Sequence, residues 1–167
     1  HSQFDGAWVA SSNILSLISM IEAGTELSIR YGGTSNSKDE CHDFPLTDCN
    51  ENGKPAYYAF SAFNQLAGSD RLEAGGGDRM NLGIVSGKKG DEIIVVISNY
   101  DAKAYIDNYE PDKTRPPYRE YANFVSEFGE PKVYGGYELE IDNIPNADGL
   151  VYEKYVIDDA GMRLDKK

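Results

Sequence analysis

The sequence predicts an α/β segment followed by an all-β, antiparallel segment, and three observations carry that prediction. Residues 5–68 hold two apolar runs at helical spacing with a short alternating run between them. From residue 80 onward the apolar residues fall in runs of strand length, punctuated by turn-forming residues. The change of pattern comes at Gly68, so the expected division is 1–68 and 69–167, with a tyrosine-rich insertion at about 100–131.

The first helix is expected over residues 5–23, "DGAWVASSNILSLISMIEA". Ala7, Ala10, Ile14, Ile18 and Ile21 recur at helical spacing, and Trp8, Leu15 and Leu17 widen the stripe. Asp5 suits the N-cap and Gly24 the position just past the end. "ELSIRY", residues 26–31, puts Leu27, Ile29 and Tyr31 on one face of a short strand. A loop of Gly, Ser, Asn and Asp follows to residue 54. The second helix lies in "GKPAYYAFSAFNQLAG", residues 53–68, where Ala56, Ala59, Phe60, Phe63, Leu66 and Ala67 keep the helical period. Pro55 fits its first turn and Gly68 its stop.

Beyond it, Met80, Leu82 and Ile84 alternate with polar or glycine positions. "DEIIVVISN", residues 91–99, is almost continuously apolar, which predicts a central strand covered on both faces. "SGKKGD" between these runs predicts a hairpin turn. Two further strands are expected, one from Tyr137, Leu139 and Ile141 and one from Val151, Glu153, Tyr155 and Ile157. Four or five such strands indicate an antiparallel β-sandwich or part of one. Inside the insertion, Tyr118, Tyr121, Val125 and Phe128 are spaced like a short amphipathic helix. There is no internal repeat and no low-complexity tract.

Composition bounds the function. Of 167 residues, 40% are apolar and 11% aromatic, enough for a packed core. Acidic residues outnumber basic ones 28 to 16, for a net charge of −12, with no basic stripe, so a nucleic-acid partner is not expected. No apolar run reaches the roughly 20 residues of a membrane span, and no basic-apolar leader is visible, so neither a membrane partner nor an intact signal peptide is expected. The chain starts without methionine, so a processed N-terminus is expected. Cys41 and Cys49, with seven residues between them in "CHDFPLTDC", suit a local disulfide, worth roughly 2–3 kcal/mol in the chain-entropy model and placing the chain in an oxidising, secreted setting. Two free thiols are the alternative, and with only His42 between them a closed zinc site lacks a fourth ligand.

Candidate chemistry is sparse. "DCNENG", residues 48–53, matches the first half of a calcium loop, but its twelfth position is Ala59, so the preferred reading is an Asn-Gly turn before the helix. His1 and His42 are the only histidines and G-x-S-x-G is absent, so no hydrolase triad is expected; adjacent Cys41 and His42 rarely face one another. "AGGGDR" has no helix after it to hold a phosphate and reads as a turn. The carboxylate pairs Asp39/Glu40, Asp91/Glu92, Glu138/Glu140 and Asp158/Asp159 fit solvated turns and strand faces. No catalytic residue, metal or cofactor is assigned. Twelve tyrosines are many for this length. Tyr105, Tyr109, Tyr118 and Tyr121, gathered in the insertion, are candidates for a glycan- or partner-binding surface, because a sugar's C–H face packs on an aromatic ring.

The order of these phrases resembles the C-terminal part of β-xylosidase-type glycoside hydrolases, family 39 and its relatives. The phrases are "FDGAWVASSNILSLISMIEAG", "TELSIRYGG", "NGKPAYYAFSAFNQLAG", "IIVVISNY", "YELEIDNIP" and "YVID", and together they span about residues 5–159. The resemblance implies the end of a (β/α)8 barrel, read as helix, strand, helix, followed by a β-sandwich. It implies a secreted, retaining enzyme acting on a polysaccharide or oligosaccharide. The two catalytic glutamates of that family would lie upstream of His1, and no position here matches them. Arg30 and Tyr31, at the C-terminal end of the eighth strand, would be the residues able to reach the substrate. The chain departs from the family in having "YGGTSN" where an aromatic platform is common, in lacking a closing strand after "YVID", and in its longer insertion. Two barrel units cannot close a barrel, so a companion polypeptide supplying the rest, further sequence of the same chain, or a refolded remnant is expected. The alternative expectation is a non-catalytic β-sandwich module that binds glycan or a protein partner.

Overall fold

The structure, a computed structural model, describes residues 6–25, 46–78, 81–109, 114, 116–130, 132, 134–144, 149–159 and 161–165. Among them are four helices and five strands: α1 (Ala7–Glu22), α2 (Pro55–Asn64), β1 (Asp70–Leu72), β2 (Leu82–Lys89), β3 (Glu92–Asn99), α3 (Ala102–Tyr109), α4 (Pro116–Phe128), β4 (Tyr155–Asp158) and β5 (Gly161–Leu164). The strands form one three-stranded sheet, ordered β1-β2-β3, and one hairpin, β4-β5, all antiparallel. The chain is therefore a mixed fold of helices and antiparallel strands.

The helical stripe of α1 works as its spacing requires. Ala10, Ile14 and Ile18, four apart, are buried and meet Ala59 of α2 and Val85 of β2 in one apolar cluster. Phe63, Leu66, Val96 and Ile157 pack around that cluster, so both helices, the sheet and the last hairpin share it. α1 ends as its Gly24 predicts. Gly24 takes φ +73, its N–H donates to Ile21 O at 3.0 Å, and Thr25 N–H donates to Met20 O at 2.9 Å, the paired bonds of a Schellman cap. Over β2 the helix comes so close that a Cβ on Gly83 would stand 2.5 Å from Leu15 Cδ2. Ser98 Oγ donates to Ser11 O at 2.8 Å and ties β3 to the same helix.

β2 and β3 pair without a bulge from Leu82↔Asn99 to Lys89↔Glu92. The two-residue turn between them has Gly90 at φ +62, the position where a II′ hairpin turn demands glycine.

Several sequence expectations need correction. β3 lies at the edge of the described sheet, not at its centre, and β2 is the middle strand. The apolar run of β3 is half-buried, because α1 covers the Val96 face and no described strand lies beyond it. α2 stops at Asn64, after which Gln65, Leu66 and Ala67 each donate to the carbonyl three residues back, and Gly68 turns at φ +74. The expected strand at Tyr137, Leu139 and Ile141 belongs to neither described sheet, and these side chains are exposed. Of the expected strand through Val151 and Ile157, only Tyr155–Asp158 pairs. The insertion holds two helices rather than one, since α3 precedes α4. Gly6 is the N-cap of α1, with no side-chain cap of its own. The expected strand at 26–31, with Arg30 and Tyr31, lies outside the described residues, as do Asp5, His1, His42, Cys41, Asp39/Glu40 and Met80.

Candidate functional site

The insertion is rooted by a short polar cluster at the entry to β2. Asp78 Oδ1 accepts the N–H groups of Asn81 at 2.5 Å and Leu82 at 3.0 Å, which turns the chain out of the glycine-rich stretch. That stretch is thus a turn, as read from its lack of a following helix. Asn81 is fully buried at 1% exposure and donates from Nδ2 to Lys132 O at 2.6 Å, while its own carbonyl accepts Tyr100 N–H at 2.6 Å. Asn99 Nδ2 donates to Tyr134 O at 2.9 Å. The two ends of the insertion, at Asn99 and Tyr100 and at Lys132 and Tyr134, are therefore clamped together through Asn81 and Asn99. Burial lifts the Tyr134 phenol above its usual range, and the charge and hydrogen bond of Asp78 add to the lift.

From this root α3 and α4 rise against one another. Asp101 Oδ1 accepts Ala104 N–H at 2.8 Å and so starts α3. Ile106 is buried, at 6% exposure, and fixes the helix from below. Lys103 and Asp107 form an i,i+4 ion pair, and that hydrogen bond, with the charge of Asp107, raises the lysine pKa. On α4, the Tyr121 hydroxyl donates to Glu130 Oε2 at 3.0 Å. Burial first, then Glu130, pushes its pKa up to about 12, with Asp107 and Asp101 contributing. The phenol is thus protonated at neutral pH, a donor and not a base. Carboxylates beside a half-buried aromatic ring can accept hydrogen bonds from polyol hydroxyls and offer a face to C–H groups. They provide no activated nucleophile.

Of the four tyrosines singled out in the sequence, Tyr105 and Tyr109 fall on α3 and Tyr118 and Tyr121 on α4. The structure describes the Tyr121 side chain alone among them. Arg30 and Tyr31 lie outside the described residues. The "DCNENG" stretch is a tight turn. Asp48 Oδ1 accepts the N–H groups of Asn50 and Asn52, both at 2.8 Å, and Oδ2 accepts Asn52 Nδ2 at 3.1 Å. An isolated Thr47↔Gly53 bridge closes the turn. Cys49, inside it, is not a free thiol.

Of the described carboxylate pairs, Asp158/Asp159 has structural partners. Asp158 Oδ2 meets Arg163 Nε at 3.0 Å, and Asp159 Oδ1 accepts Ala7 N–H at 2.6 Å, capping α1. Glu138 and Glu140 stand exposed. Asp78, Asn81, Glu130 and Asp159 are residues that sequence reasoning missed. Their partners lie from three to 152 positions away; Asp101, three residues before the amide it accepts, carries a local capping signal that was also passed over.

α2 joins the helical and the strand-rich parts. Lys54 is its N-cap and is buried, at 6% exposure. Tyr57 and Tyr58 stack edge-on, with centroids 5.3 Å apart. Tyr58 lies against Gly161 of β5, whose Cβ would stand 3.3 Å from Tyr58 Cε2. Among the described residues no helix is long and apolar enough to cross a membrane, and no three His, Cys, Asp or Glu side chains gather as a metal site. No family model, no curated protein and no solved structure matches this chain.

Proposed function

We propose that the chain is the C-terminal portion of a secreted retaining glycoside hydrolase, with the catalytic glutamates on polypeptide upstream of His1. It supplies the last helix-strand-helix of a (β/α)8 barrel and an accessory β-sandwich, and is inactive alone. The observation that carries the reading is the joint at α2. "GKPAYYAFSAFNQLAG" resembles the last barrel helix of that family, and it folds as a proline-started helix between α1 and the first antiparallel strand, with Tyr58 held on the last hairpin. In this reading Arg30 and Tyr31 are the residues able to reach the substrate, because strand C-termini face it in a barrel. A Cys41–Cys49 disulfide accompanies secretion, consistent with Cys49 not being free.

The test is to express the chain alone and with its native upstream sequence, and to assay both on aryl β-xylosides and related glycosides. The longer protein is expected to hydrolyse one of them with retention, and to lose activity when a glutamate at the end of an upstream apolar run is changed to glutamine. A longer protein inactive on every glycoside, with no such glutamate, overturns the reading. Intact mass under non-reducing conditions tests the disulfide, which makes the chain lighter by two hydrogens.

A second reading is favoured by the α3–α4 insertion: a non-catalytic module that binds glycan or a protein partner. Its support is the clamped root at Asn81 and the Tyr121–Glu130 pair above it. Binding of xylo- or arabino-oligosaccharides that is lost in Tyr105→Ala or Tyr118→Ala supports this reading, and no glycan binding at millimolar ligand counts heavily against it.

A further inference from the structure

Asn52 and Gly53 form the chain's only Asn-Gly pair. Such a pair carries its own chemistry. The glycine nitrogen can attack the side-chain carbonyl carbon of the asparagine and close a cyclic imide. Glycine favours this step because no Cβ shields its nitrogen or restricts the backbone. The reaction needs an asparagine free to turn its side chain onto the following peptide, and the turn before α2 holds Asn52 in another place.

Three hydrogen bonds fix Asn52, and all of them run to Asp48. Asn52 N–H donates to Asp48 Oδ1 at 2.8 Å, Asn52 Nδ2 donates to Asp48 Oδ2 at 3.1 Å, and Asp48 N–H donates to Asn52 O at 2.8 Å. The first two end on a carboxylate, which strengthens them. The attacking nitrogen is oriented differently. The bonds from Asp48 N–H to Asn52 O and from Lys54 N–H to Leu46 O flank the Thr47↔Gly53 bridge, so the N–H of Gly53 points out of that ladder. Asn52 itself is exposed to water. The reactive pair is therefore accessible, and one side chain restrains it.

We propose that Asn52 is a hydrolytic modification site gated by Asp48, and that its conversion releases the turn before α2. When the Asp48 contacts open, hydroxide takes the proton from Gly53 N and becomes water. The nitrogen bonds to Asn52 Cγ, the Cγ–Nδ2 bond breaks, and ammonia leaves with a proton from water, which restores the hydroxide. Water then adds to one imide carbonyl and the ring C–N bond breaks, giving aspartate or isoaspartate with no change of oxidation state. Aspartate puts a second carboxylate where Nδ2 donated to Asp48, so a donor is lost and like charges meet. Isoaspartate adds a carbon to the main chain and shifts Gly53 away from Thr47. This inference goes beyond the glycosidase reading and does not depend on it.

The test is to incubate the full chain at mildly alkaline pH and follow the peptide containing Asn52 by mass spectrometry and by isoaspartyl methyltransferase labelling. The same chain in urea gives the unrestrained rate. The native chain is expected to convert more slowly than the unfolded one by at least about tenfold, the worth of one hydrogen bond to a charged group. Asp48→Ala is expected to remove most of that difference in native buffer. Asp48→Asn keeps an acceptor without the charge, is expected to fall between the two, and serves where Asp48→Ala fails to fold. Unchanged amide exchange in the β2–β3 hairpin identifies the variants whose fold stands. Asn52→Asp copies the first product and is expected to speed exchange at the Asp48 and Asn50 amides. Four results overturn the proposal: no conversion of Asn52 in urea, equal rates in the native and unfolded chain, folded Asp48 variants no faster than the native chain, or Asn52→Asp with the turn amides unchanged. None of these readouts involves glycosidase activity, so either proposal can fail while the other stands.

Discussion

Asp48 shows how much one side chain does in the turn before α2. Its carboxylate accepts three hydrogen bonds within the turn, and the Asn52 side-chain bond, followed by its backbone bond, holds the acid below the ordinary pKa of an aspartate. A depressed acid contributes stability above its unfolded pKa, and that contribution is lost as pH falls through the folded pKa. A carboxyl-carbon titration should place the Asp48 midpoint below 3.8, and Asn52→Ala should bring it back up. A midpoint at or above that value in the native chain refutes the turn geometry. The glycines offer a second comparison at this scale. A Cβ on Gly83 would stand 2.5 Å from Leu15 Cδ2 and 3.0 Å from Ile18 Cδ1, whereas one on Gly75 meets nothing within 4 Å. Gly83→Ala should therefore cost about 1–3 kcal/mol by overpacking α1. Gly75→Ala should be neutral or stabilise by about 0.4–1 kcal/mol through the unfolded chain. Urea unfolding of the two variants decides this, and equal effects would mean that α1 does not sit on β2 as described.

Elements depend on residues that no local pattern reveals. α1 has no cap of its own, since Gly6 precedes it, and the N–H of Ala7 is met by Asp159 from the turn between β4 and β5. That carboxylate also lies at the positive end of the helix dipole. Asp159→Ala should cost about 0.5–2 kcal/mol and speed amide exchange in the first turn of α1 before any other element. Unchanged exchange there would show that the two ends of the chain do not meet. What the sequence disclosed follows the same division. The bodies of α1 and α2, the Gly24 cap and the β2–β3 hairpin were legible because spacing, glycine and proline act within a few residues. The edge position of β3 was not, because an apolar run reports that side chains are covered and is silent on what lies beside the backbone. α3 was missed because only Ile106 of its described side chains is buried, so its stripe is too thin to register. The alternation at Tyr137, Leu139 and Ile141 was real, but alternation specifies a strand only where a partner strand exists to pair with it. The same limit holds at the candidate site. The tyrosines could be placed on one insertion, while the root that clamps it depends on Asn81 reaching a carbonyl 51 residues away.

At the scale of the molecule the exposed apolar surface is concentrated rather than scattered. Nine large apolar side chains exposed in the structure lie between residues 137 and 164, among them Val151 at 86% and Tyr152 at 76%. Single exposed apolar residues need no explanation, but so many along one stretch of chain exceed that ordinary scatter, and a surface covered by another body would account for them. With a net charge of −12 the chain is kept dispersed by self-repulsion, so such a patch can persist in solution without precipitation. Two measurements then separate a missing partner from a self-sufficient domain. The chain alone should bind a hydrophobic dye, and the protein with its upstream polypeptide should not. Val151→Ser should change the stability of the chain alone by no more than about 0.5 kcal/mol, because that side chain already faces water. In the longer protein the same substitution should cost about 1.5–3 kcal/mol, the value of burying such a side chain. If the chain alone is a monodisperse monomer that binds no dye, and Val151→Ser is equally mild in both contexts, then no polypeptide covers this surface and the companion-chain reading fails with it.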